Sequence, residues 1–74
     1  MNTYQVDRLD ENGQPDSTYE IIVAPSAKKA LEIYLVDWDM SNVITKRKEH
    51  HLVASCPDET TNTWRVMLVK YGVQ

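Results

Sequence analysis

Residues 25–38 read Pro25-Ser26-Ala27-Lys28-Lys29-Ala30-Leu31-Glu32-Ile33-Tyr34-Leu35-Val36-Asp37-Trp38, and the rest of the chain can be placed around them. Ala27, Ala30, Leu31, Tyr34, Leu35 and Trp38 recur at i, i+3 and i+4, the spacing of one helix face, while Lys28, Lys29, Glu32 and Asp37 fall off that stripe. Ser26 is an N-cap, since its hydroxyl can accept from an otherwise unpaired amide in the first turn. Lys28 and Lys29 sit in that same turn, where the helix dipole disfavours positive charge. The pattern predicts a helix that ends near Asp39–Ser41. A second strip, Ile33, Val36 and Met40, widens the apolar surface beyond the ~100° that one sheet needs. That implies a sheet wrapped around the helix, or a partner chain.

Everything around this helix reads as strand. Tyr4–Leu9 alternates, with Tyr4 and Val6 on one face and Gln5 and Asp7 on the other. Residues 10–16 hold Asn12-Gly13 and Pro15, the chemistry of a turn. Ser17–Ala24 follows, with Tyr19, Ile21 and Val23 sharing a face, so the two strands form an antiparallel hairpin. His51–Cys56 places Leu52, Ala54 and Cys56 together. A polar turn over 57–62 leads to Thr63–Tyr71, where Trp64, Val66 and Leu68 alternate with Arg65, Met67, Val69 and Tyr71. Both faces of that last strand are largely apolar, which predicts a central position. Ser41–Glu49 reads as either a strand or an irregular crossover. The fold class is α+β: β-hairpin, helix, β-hairpin, with room for one extra strand, the antiparallel sheet packed around a single helix.

Seventy-four residues make one domain, residues 1–74, of marginal size, burying about 60% of its chain surface. The one cysteine, Cys56, allows no internal disulfide. This fits a reducing cytoplasm. The opening Met1–Leu9 has no apolar core of a signal peptide, and no apolar run approaches the ~18 residues of a membrane span. Without staples, stability must come from a compact core or from an oligomer.

The residues that could carry chemistry do not assemble into a site. Glu49, His50, His51 and Cys56 are the metal candidates, but His50 and His51 are neighbours on a strand and point to opposite faces. Cys56 precedes Pro57 at a strand end and reads as a buried small hydrophobe rather than a nucleophile. Two glycines, Gly13 and Gly72, cannot build a phosphate-cradling loop. The reading is no enzyme, no metal and no cofactor. Lys46-Arg47-Lys48, with Lys28 and Lys29, could touch phosphate, yet the chain carries a net charge of −3, where nucleic-acid binding favours a broad basic face.

Acidic residues are placed more tellingly. Asp10, Glu11 and Asp16 fall in the first turn, Asp37 and Asp39 flank Trp38, and Asp58 and Glu59 fall in the last turn. They are the candidate partner-binding residues, complementary to a basic partner. Met67, Val69 and Tyr71, if they face away from the helix, form an apolar patch of the kind that marks a dimer interface.

The opening MNTYQVD, the stretch YEIIVAPSAKKALEIYL and the ending HHLVASCPDETTNTWRVMLVK resemble, in layout, the small phage-encoded anti-CRISPR proteins that act on type I systems. These are cysteine-poor single domains with an antiparallel sheet folded around one helix. The resemblance covers the whole chain, but it carries over no functional residue. It implies stoichiometric inhibition by docking on a Cas subunit or crRNA-guided complex, which blocks DNA binding or nuclease recruitment. Two other readings come from the residues themselves: a homodimeric structural or regulatory module, and a small nucleic-acid binder using Lys46, Arg47 and Lys48.

Overall fold

A computed structural model of the chain describes residues 1–38, 40–56 and 59–70, with the side chains of 59–61 left aside. Five strands and one helix follow in the order β1 (Asn2–Leu9), β2 (Pro15–Ala24), α1 (Ala27–Tyr34), β3 (Ile44–Arg47), β4 (His51–Cys56) and β5 (Glu59–Lys70), with a short 3₁₀ turn at Met40–Asn42 before β3. The strands form one antiparallel sheet in the order β2-β1-β5-β4-β3. β5 is central, as its two apolar faces require, and the undecided stretch after the helix supplies an edge strand.

The sheet has a covered face and an open one. Tyr4, Val6, Ile22, Ala24, Leu52, Ala54, Cys56, Trp64 and Val66 point to the covered face, where they close on Ala27, Ala30, Leu31 and Leu35. Ala24, Ala27 and Ala30 are fully or almost fully buried; their short side chains let the helix approach the sheet closely, and Leu31 fills the space between. Ser26 caps the helix as its sequence position requires, its Oγ accepting from the Lys29 amide at 3.2 Å.

The helix is shorter than the periodicity predicts. It ends at Tyr34, and the chain turns at Leu35, whose amide donates to the Leu31 carbonyl at 2.8 Å. β-branched Val36 and the acidic Asp37 and Asp39 are poor continuations at the negative end of the dipole. The turn swings Trp38 edge-on against Trp64, ring centroids 5.0 Å apart at 80°, but leaves 36% of Trp38 in solvent. The fold is α+β, one antiparallel sheet with a single helix packed on it, but the second strip is mostly uncovered: Ile33 and Val36 are exposed, and of that strip only Met40 packs against the core.

Candidate functional site

The open face is built by alternation and register. Cross-strand rows place Ile21, Gln5, Met67 and His51 side by side, and then Tyr19, Asp7, Arg65, Val53 and Lys46. Tyr19 is 60% exposed, Ile21 50%, Val23 47% and Val69 55%. The larger side chains of β2 therefore face solvent, while Ile22 and Ala24 take the core. Pairing decides this: Ile22 lies opposite Tyr4 and Ala24 opposite Asn2, where the helix begins directly above.

A buried ion pair sits at the centre of this face. Asp7 is 3% exposed. Its Oδ2 accepts from Arg65 Nη2 at 2.8 Å and from Arg65 Nε at 3.3 Å, and its Oδ1 accepts from Gln5 Nε2 at 2.8 Å. Sequence alone offers no signal for the pair, because the partners are 58 positions apart and meet only through the β1–β5 register. The ion pair pins that register, and around it the apolar side chains remain uncovered.

The acidic candidates gather toward one end of the sheet. The β1–β2 turn carries Asp10 and Glu11, and Asp16 follows at the start of β2, all three exposed. Leu9 lies opposite both Pro15 and Thr63, and Ser55 opposite Thr63, so the last residues of β4 and the first of β5 lie at the same end. Trp38 touches Trp64 there, and exposed Asp37 sits beside it. Asp39, Asp58 and Tyr71 lie outside the described residues; Glu59 opens β5.

Two of these carboxylates also hold the backbone. Asp10 Oδ1 accepts from the Asn12 and Gln14 amides, both at 2.9 Å, and Asp16 Oδ1 accepts from the Thr18 amide at 2.9 Å. The local field is negative enough to act on Tyr34. Burial pushes its hydroxyl pKa above the ordinary value of 10.0, with Glu20, Asp16 and Asp7 adding to the rise and Arg8 opposing it.

The basic run is divided. Lys46 pairs with Val53 and Arg47 with Leu52, so the two cations project to opposite faces of edge strand β3. At that end of the covered face, beside the N-terminus of the helix at Ser26 and Ala27, a groove of about 460 Å³ opens between Tyr4, Leu52 and Leu68, with Arg47, His50 and His51 on its wall. His50 Nε2 lies 3.8 Å from Glu49 Oε1, both side chains exposed. Cys56 is buried. Among the described residues, no three His, Cys, Asp or Glu side chains come together as metal ligands would, and no helix is long and apolar enough to cross a membrane.

In comparison with known proteins, no family model, curated protein or solved structure matches this chain.

Proposed function

We propose that the protein works by docking on another protein, without chemistry of its own, through the open sheet face and the acidic end beside it. The observation that supports this reading is the uncovered apolar surface of Tyr19, Ile21, Val23 and Val69. Four large apolar side chains about half exposed on one face of so small a chain make the kind of patch that marks a protein-interaction site. A rigid sheet is a suitable platform, because little ordering is lost on contact.

The target follows from the resemblance to type I anti-CRISPR proteins, and we take it to be the crRNA-guided complex of such a system. The DNA path of that complex is basic, and Asp10, Glu11, Asp16 and Asp37 would face it. The protein then inhibits stoichiometrically, by preventing DNA binding or nuclease recruitment.

The test is inhibition of target-DNA binding by a purified type I complex. Glu11→Lys and Asp37→Lys are the clean electrostatic probes, since they leave the turn hydrogen bonds of Asp10 and Asp16 in place. They should weaken inhibition and reduce its salt dependence. Val69→Lys should weaken it through the open face. If all three inhibit as the parent does, neither surface is the docking site.

A further inference from the structure

The two edges of the sheet are finished differently. β3 has 4 residues, all exposed, and carries Lys46 and Arg47. Short length and edge cations are the usual devices against unwanted strand pairing. β2 is protected only at its start. There Pro15 lacks an amide hydrogen, Ser17 has φ 76°, and the register with β1 slips between Asp7 and Leu9. From Tyr19 to Ala24 the strand runs regularly, opposite Asp7 through Asn2. That run, Tyr19-Glu20-Ile21-Ile22-Val23-Ala24, has no proline, no glycine and one charge. A long apolar edge of this kind presents a row of backbone donors and acceptors that another strand can complete.

We propose that this edge pairs with its own copy, β2 antiparallel to β2 about a two-fold axis through Ile21, joining two sheets into one continuous sheet. The axis must stand perpendicular to the sheet, so side chains of one face meet only side chains of the same face. Centred on Glu20, the pairing would set two like charges opposite each other. Centred on Ile22, it would bring Tyr19 against Pro25. Centred on Ile21, it sets Ile21 against Ile21 and Tyr19 against Val23 twice, the aromatic and β-branched pairs that stabilise antiparallel ladders.

Charge selects a second copy over an unrelated strand. Each chain is acidic where β2 begins, with Asp10, Glu11 and Asp16, and basic just past its end, with Lys28 and Lys29. Antiparallel pairing lays each acidic turn beside the other copy's lysines, at both ends of the seam. This gives Lys28 and Lys29 a role their own helix dipole does not. The open faces of both copies stay on the same side of the joined sheet. The dimer therefore stands on the edge geometry, independent of any target; it draws Tyr19, Ile21, Val23 and the acidic turn to the seam and leaves Val69 and Asp37 of the docking surface uncovered.

Sedimentation of the intact chain at micromolar concentration should give twice the 8.6 kDa chain mass. Ile21→Lys, at an exposed position, should convert it to monomer with unchanged far-UV circular dichroism, because the two lysines would meet across the axis. Ile44→Lys on the other edge and Val69→Lys on the open face should leave the dimer intact. Ile21→Cys is uncharged and keeps the test open if the lysine variant fails to fold. Directly opposed strand residues have Cα atoms about 4.5–5.5 Å apart, within disulfide reach of about 4.4–6.8 Å. Ile21→Cys should therefore cross-link with itself under oxidised glutathione, and Ile44→Cys should not. A parent chain that sediments as monomer overturns the proposal. So does a dimer that survives Ile21→Lys, or one that Val69→Lys dissolves, the latter pointing to face-to-face packing.

Discussion

Replacing Arg65 with methionine isolates the ion pair at the centre of the open face. Methionine keeps most of the aliphatic stem but removes both donors to Asp7 Oδ2, at 2.8 and 3.3 Å. The Asp7 side chain is 4% exposed and that of Arg65 26%, so the carboxylate cannot recover its lost partner from bulk water. Breaking a fully buried pair costs about 3–5 kcal/mol, and losing hydrogen bonds to a charged group about 1.5–3 kcal/mol. The hydrogen bond from Gln5 remains, and the arginine is partly solvated. The expected loss is therefore about 2–3 kcal/mol, from the lower part of that span. For a domain of this size it should lower Tm by about 10–20 °C, read by circular dichroism at one fixed protein concentration, because association shifts Tm. The double variant Asp7→Leu, Arg65→Met should recover to within about 1 kcal/mol of the parent, since no charge is then stranded. A loss below about 0.5 kcal/mol for Arg65→Met alone, the behaviour of a solvated surface pair, would refute the reasoning.

Three further outcomes follow from the same geometry. Leu31→Ala empties the centre of the helix–sheet contact and should cost about 2–5 kcal/mol in urea unfolding. Ser26→Ala removes the cap on the Lys29 amide and should cost about 1 kcal/mol, with Ser26→Asp close to the parent. Tyr34 holds its proton more tightly folded than unfolded. Its contribution is therefore complete below about pH 10 and is lost as pH rises through the higher folded value. Tyr34→Phe should flatten the alkaline fall in stability and leave the neutral range unchanged apart from the lost hydroxyl.

Local pattern made much of this fold legible. The alternation of Leu52, Ala54 and Cys56 fixes β4 to its end residues, and the two apolar faces of β5 place it in the middle. What escaped depended on partners distant in the chain. The apolar spacing runs on through Trp38, yet the helix stops at Tyr34, before β-branched Val36 and acidic Asp37, and Trp38 meets Trp64 from outside the helix. Tyr19, Ile21 and Val23 share a face by alternation alone, and only their pairing with Asp7, Gln5 and Thr3 shows that this face is the outward one. The Asp7–Arg65 pair exists only once β1 and β5 are in register. Of the candidate site, the acidic positions were legible as a composition, whereas their gathering at one end of the sheet is a product of topology.

The most direct measurement is target-DNA binding by a purified type I crRNA-guided complex as this protein is titrated against it. The account predicts loss of DNA binding at near-stoichiometric ratios, co-migration of the protein with the complex, and weakened inhibition by Glu11→Lys and Val69→Lys. Undiminished DNA binding, undiminished nuclease recruitment and no co-migration at large excess would contradict it.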